Sequence, residues 1–244
     1  MKLGIMQPYF LPYIGYFQLL NAVDRYVIYD NIQYTKKGWI NRNRILQNGK
    51  SQTITVPLEK DSDYLDVKER RISAGFDKKK LLNQIKESYR KAPCFDISMP
   101  LIENIINYNE NNLFHYVDNS VREICNFLNI DTEITVSSTL DIDHSLKGQD
   151  KVIAICKKLG ASDYYNAIGG QELYSPEDFS RENINLYFVS ANPIEYGQFK
   201  NEFAPRLSIL DVIMFNTVDK IKRMLNDYKL INCPLGETGR NLCT

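Results

Sequence analysis

The stretch that most limits what this chain can fold into is its opening, Leu3-Gly-Ile-Met-Gln-Pro-Tyr-Phe-Leu-Pro-Tyr-Ile-Gly-Tyr-Phe-Gln-Leu-Leu. A short apolar run stops at Gln7-Pro8, crosses a proline-bounded aromatic loop and enters an amphipathic segment carrying Tyr16, Phe17, Leu19 and Leu20. A second β-branched and aromatic run, Arg25 to Asp30, follows at once. Strand, loop, helix and strand in that order make one βαβ unit. In an open α/β sheet the loop leaving the first strand borders the ligand crevice. The loop with Gln7, Tyr9, Tyr13, Gly15 and Tyr16 is therefore the first candidate site: glycine admits a ligand close to the backbone, and free amides at the next helix start suit an anion. The opposing reading is an aromatic plug over the sheet.

The second candidate stretch follows Asp30. Gln33, Lys36, Lys37, Trp39, Asn41, Arg42 and Asn43 mix cations with amides and an indole. Trp39 or Tyr34 could stack on a planar ring or sugar face, and Arg42 with Lys37 could hold a diphosphate. A solvated basic loop is the plain alternative. Next, Asn48-Gly49 between two β-like runs predicts a hairpin ending at Pro57, because Asn-Gly fits the positive φ angles of a type I′ turn.

From Asp77 the apolar period changes to three and four residues. Asp77 caps one expected helix, Pro100 opens a second, and a third carries Phe114, Val117, Val121, Ile124, Cys125 and Leu128. Thr132 to Ser137 returns to strand. Gln149 to Leu159 is expected to be a helix closed by Gly160. Asp163 to Asn166 is a strand followed by the loop Ala167-Ile-Gly-Gly170, and Ser175-Pro176 starts a helix. Asn185 to Val189 is a further strand. Ser208-x-x-Asp211 looks like a capping-box variant opening a helical pattern that runs to about Lys229.

The expected architecture is α/β, a Rossmann-like, mostly parallel sheet with an inserted helical lobe and a β-hairpin. Residues 1–60 form the first half of the α/β domain, 61–130 the helical insertion, 131–230 the second half, and 231–244 a polar tail expected to be disordered.

Two more clusters carry chemistry. His144, with Lys147 and Lys151 nearby, precedes a helix; it is one of two histidines in the chain and the candidate proton carrier, while either lysine could bind phosphate. His115 lies in an amphipathic helical pattern, where a surface position is expected. Asn166, Gly169, Gly170 and Tyr174 follow the strand of the second half, in the position equivalent to the opening loop. Tyr196 and Gln198 read as a packed loop.

Composition removes several function classes. Thirty basic and thirty acidic residues cancel, so nothing electrostatic calls for nucleic acid or a membrane. Five scattered cysteines form no Cys-x-x-Cys pair, which argues for reduced thiols and against a metal centre. No apolar run approaches the ~18 residues of a membrane span, and no secretory leader is apparent. A cytoplasmic location is expected.

Met6-Gln-Pro-Tyr-Phe-Leu-Pro-Tyr-Ile-Gly-Tyr-Phe17, Asp30 with Gln33, Lys37-x-Trp39-x-Asn41-Arg42, Asn166-Ala-Ile-Gly-Gly-Gln-Glu-Leu-Tyr174 and Leu207-Ser-Ile-Leu-Asp-Val212 together resemble the WbqC-like proteins, over roughly residues 1 to 216. Members occur in bacterial gene clusters for O-antigen and related glycans. The resemblance implies an amide-forming acyl or aminoacyl transferase acting on the amine of a nucleotide-linked amino sugar, with His144 or Asp30 taking the amine proton. The acyl donor stays open among a carrier-protein thioester, a coenzyme A thioester, an aminoacyl-tRNA and a free acid; zero net charge weighs against the tRNA. A more distant likeness is to nucleotidylyltransferases and pantothenate synthetase, whose first strand leads into a His-x-Gly-His loop holding ATP phosphates. Here Tyr13-Ile14-Gly15-Tyr16 takes that place and both histidines are missing. An ATP-dependent ligase and a non-catalytic nucleotide-sugar binding protein remain the alternatives. No tightly bound cofactor is expected, and ATP with Mg²⁺ enters only with the ligase.

Overall fold

The computed structural model describes residues 1–200 and 202–232. A six-stranded sheet is built from β1 (Lys2–Met6), β2 (Arg25–Ile28), β5 (Glu133–Val136), β6 (Asp163–Ala167), β7 (Asn185–Ala191) and β8 (Tyr228–Asn232), ordered β5-β2-β1-β6-β7-β8. All neighbours are parallel except β7 and β8, which pair antiparallel with Ala191 opposite Tyr228 and Tyr187 opposite Asn232. The chain leaves β1 to one side for β2 and β5, then returns to the other side for β6 and β7. That reversal puts the switch point between β1 and β6.

Strand alternation sets the two faces. Leu3 and Ile5 of β1 and Val27 of β2 face a cluster with Val152, Ile155 and Cys156 of α5 (Gly148–Leu159) and Phe179 of α6 (Pro176–Arg181). Tyr26 and Ile28 face the larger cluster, where α1 (Ile14–Asn21) lies with α7 (Ile209–Phe215) and α8 (Val218–Leu225). Between β2 and β5 the chain forms a separate hairpin, β3 (Arg42–Gln47) and β4 (Lys50–Thr55), and three helices, α2 (Lys78–Tyr89), α3 (Phe95–Asn107) and α4 (Leu113–Leu128). These helices share the larger cluster with α1, α7 and α8. Asn48 and Gly49 take φ of 51° and 72°, the two positive angles the hairpin turn requires. Asp77 caps α2 by accepting from Lys80 N at 2.8 Å, and Gly160 ends α5 at φ 68°.

Four local expectations are corrected. The helix expected to open at Pro100 begins at Phe95, with the proline inside it. A proline there removes one backbone bond and costs about 3 kcal/mol; the burial of Met99, Ile102, Ile105 and Ile106 on the same helix offsets it. Ser208 does cap α7, accepting from Leu210 N at 3.1 Å, but Asp211 does not complete a capping box. Its carboxylate is fully buried and accepts from Tyr89 Oη, Tyr196 Oη and Gln198 Nε2 at 2.8, 2.7 and 2.6 Å, so Tyr196 and Gln198 belong to a packed polar core. The helical pattern ends at Leu225 rather than near Lys229, because Tyr228–Asn232 turns back as the antiparallel edge strand. Of the tail expected at 231–244, Ile231 and Asn232 are in β8, and 233–244 lie outside the described residues. Cys94, Cys125 and Cys156 are free and buried, and burial pushes the thiols of Cys125 and Cys156 up to about 12. Among the described residues no helix is long and apolar enough to cross a membrane.

Candidate functional site

A cavity of about 880 Å³ opens at the C-terminal ends of β1, β2 and β6, at the switch point. At this end the apolar runs of the strands give way to polar residues: Met6 to Gln7, Ile28 to Tyr29 and Asp30, and, within the last pairings of β6, Tyr165 to Asn166. The walls come from four stretches: Asn31 to Gln33, Tyr64 with Asp66, the start of α5, and the 3-10 segment Ile168–Leu173 with Tyr174.

Of the residues singled out in the sequence, Gln7, Tyr9, Gln33, His144 and Lys147 line this cavity, together with Asn166, Gly169, Gly170 and Tyr174. The Gln7 amide makes no hydrogen bond to the described residues and faces the space freely. Asn166 lies across Gly170 so closely that a Cβ there would come within 2.6 Å of its Nδ2, so a side chain at 170 would push the Asn166 amide aside. Gln33 Nε2 donates to Asp63 O at 2.9 Å, which ties the 61–66 segment to the mouth.

The two candidate proton acceptors, Asp30 and His144, stand close together through the side chains of Ser137 and Asn31. Asp30 is 2 % exposed and does not line the cavity; its Oδ1 accepts from Ser137 Oγ and Ser138 N, both at 2.9 Å. Ser137 Oγ also sits 2.5 Å from Asn31 Oδ1, so its single hydrogen serves either that amide oxygen or Asp30, and Asn31 Nδ2 reaches His144 Nδ1 at 2.9 Å. His144 Nε2 lies 2.9 Å from the Leu140 carbonyl, which can only accept. The hydrogen therefore sits on Nε2 and the Nδ1 lone pair is held on the Asn31 amide.

The other singled-out residues stand elsewhere. Tyr16 is 6 % exposed, its ring against Phe17 and Tyr26, and burial pushes its pKa up. Tyr13, half-buried, and Gly15 begin α1 outside the cavity lining. Asn41 is buried, accepting from Tyr34 Oη at 2.9 Å and donating to Val56 O at 2.8 Å. Arg42 spends its guanidinium on the carbonyls of Gly38 and Lys37, the former at 2.9 Å. Trp39 is half-exposed with Arg42 and Arg44 over its ring, at 5.7 and 5.2 Å, and Lys37 occupies a turn at φ 64°. The second stretch thus divides: Gln33 joins Gln7 and Tyr9 at the cavity, whereas Arg42 turns to internal carbonyls and the indole and Lys36 pairs with Asp63. His115 is exposed.

Four residues that the sequence does not single out, Tyr29, Asn31, Asp66 and Gln149, complete the cavity, and Lys151, expected as an alternative to Lys147 for phosphate, lines it too. Burial raises the pKa of Asp66, with Glu69 adding to it against Lys68 and Lys151, while burial pushes the Tyr29 phenol up to about 12. Lys151 is 3 % exposed, its Nζ 4.9 Å from the centre of the Tyr29 ring. Desolvation lowers its pKa against the raising effect of Asp66 and Asp30. A signal for it existed: Lys151 stands four residues before Ile155 and next to Val152, in phase with the buried stripe of α5.

No solved structure matches the chain. An uncharacterized protein of Mycobacterium tuberculosis, Rv1507c, is 28% identical over 218 residues, spanning 88% of this chain and 93% of the relative. The model of the WbqC-like protein family matches residues 7–223, from the free Gln7 amide in the cavity into α8, and the chain belongs to that family.

Proposed function

We propose that the cavity takes a nucleotide-linked amino sugar and that the protein forms an amide on the sugar's amine, within the assembly of a bacterial O-antigen or related glycan. The carrying observation is the cavity itself: it lies at the switch point, where α/β sheets bind nucleotides, and its volume falls in the range of small-molecule sites. Its lining supports the reading. Tyr9 and Tyr174 offer aromatic faces for a base or sugar, the amides of Gln7 and Asn166 suit hydroxyls, and Asp66 offers a carboxylate to an ammonium.

In the reaction the sugar amine attacks the acyl carbonyl. The C–N bond forms as the bond from carbon to the leaving group breaks, and the amine proton leaves for a base. His144 fills that role once the amine displaces Asn31 from Nδ1, and the proton passes on to the leaving group. The Leu140 carbonyl, accepting from Nε2, holds the imidazole in its tautomer, and backbone amides at Gly169 and Gly170 are placed to meet the developing oxyanion.

The test is mass-spectrometric detection of the amide when the protein is incubated with dTDP-, UDP- or GDP-linked amino sugars and thioester or aminoacyl donors. Product formation that His144→Asn reduces by about 100-fold or more, with sugar binding kept, supports the assignment. Normal turnover by that variant removes His144 from the mechanism. Release of AMP or diphosphate from ATP would point to a ligase, and binding with no product from any donor to a carrier role.

A further inference from the structure

We propose that the first turn of α5 and Lys151 form an anion cradle that takes a diphosphate at one end of the cavity. This deepens the reading above and rests on it for the identity of the molecule that bears the diphosphate. The chemistry of the cradle is independent of that identity.

Three observations converge on it. The N-cap of α5, Lys147, supplies no side-chain cap, and the amides of Gly148, Gln149 and Asp150 have no acceptor among the described residues. Gly148, Gln149 and Lys151 line the cavity, and a Cβ on Gly148 would meet nothing within 4 Å. The third is Lys151, 97 % withdrawn from solvent by its 3 % exposure, yet with no hydrogen bond and no carboxylate within 4.0 Å among the described residues. An ammonium in that position is penalised by lost hydration and by the positive end of its own helix. An anion seated between them relieves both penalties and satisfies the free amides.

The nearby carboxylates do not take that place. Asp30 is committed to Ser137 and Ser138, and neither it nor Asp66 comes within 4.0 Å of the Lys151 ammonium. Asp150, in the first turn, is exposed. Lys147 lines the mouth and adds a second, mobile positive charge to the same end.

The experiment uses the full chain and inorganic diphosphate in metal-free buffer. Titration of ¹⁵N-labelled protein should shift the amides of Gly148, Gln149 and Asp150 first, and Lys151→Met should weaken diphosphate binding about tenfold or more in calorimetry, the loss of one charge-assisted contact. Unchanged diphosphate affinity in Lys151→Met overturns the proposal, as does a titration that moves Ile14 and Gly15 of α1 instead. If diphosphate binds through Lys151 but no nucleotide-linked amino sugar is ever acylated, the cradle stands and the transferase reading falls alone.

Discussion

The first turns of α1 and α5 make an instructive pair. Each follows a parallel strand and a loop, and each has a glycine in its first turn, Gly15 or Gly148. In α1 the flanking Ile14, Tyr16 and Phe17 are buried in the larger core, and the position of Gly15 is closed off by the Tyr13 ring at 3.4 Å. In α5 the first three residues are polar or glycine and none is buried, while the fourth, Lys151, points inward to the Tyr29 ring with no hydrogen-bond or carboxylate partner among the described residues. Neither helix has a side-chain cap, so what separates them is packing: the first turn of α1 is held in the core, whereas that of α5 lines the cavity. The same backbone signal produces a plug in one place and an opening in the other.

The largest effect that can break this contrast is at α1. Phe17→Ala should cost about 3–5 kcal/mol in urea unfolding, as for a fully buried aromatic; a cost under about 1 kcal/mol would mean that α1 is no plug. Next comes the clasp on the opening loop, where buried Asn43 donates to Phe10 O and Leu11 O at 3.0 and 2.8 Å. Asn43→Leu should lose about 1–3 kcal/mol by stranding those carbonyls, read by the same unfolding curve.

At α5 the sign reverses. Lys151→Met should stabilise the ligand-free protein by about 1–2 kcal/mol, since a buried charge without a partner is replaced by an apolar chain of similar length. Because the folded-state pKa of Lys151 lies below that of the unfolded chain, the folded protein binds fewer protons there. Wild-type stability should therefore rise relative to the variant as pH climbs towards 10.5, and a gap that is flat or widens over that window would count against the burial of an uncompensated charge. The smallest effect is Lys147→Ala, an exposed residue that should change the unfolding midpoint by only a few tenths of a kcal/mol while weakening diphosphate binding modestly.

Local signals carried most of the fold. The βαβ opening, the Asn48-Gly49 hairpin and the Asp77 and Ser175 caps are decided within a few residues, so they could be read directly. The edge strand Tyr228–Asn232 could not: it is short, mostly exposed and extends helical-looking sequence, and only β7 beside it fixes its conformation. The same limit applies to the site. Gln7, Asn166 and Gly170 follow from their places at strand ends. Asp66 reaches the cavity because Val67 N and Lys68 N bond to Ile32 O and Asp30 O, long-range pairings with no trace in the spacing. Arg42 has the charge of a phosphate ligand, but two carbonyls of its own loop absorb it.

The antiparallel turn of β8 has a practical side. Because it runs against β7, its last described residue, Asn232, stands opposite Tyr187, near the end of the sheet where the parallel strands begin. Met1 lies at that end too, with its carbonyl accepting from Ser162 N. The cavity opens at the other end. A surface or affinity matrix attached at either of these two points would hold the molecule by its base, with the mouth turned to the solution.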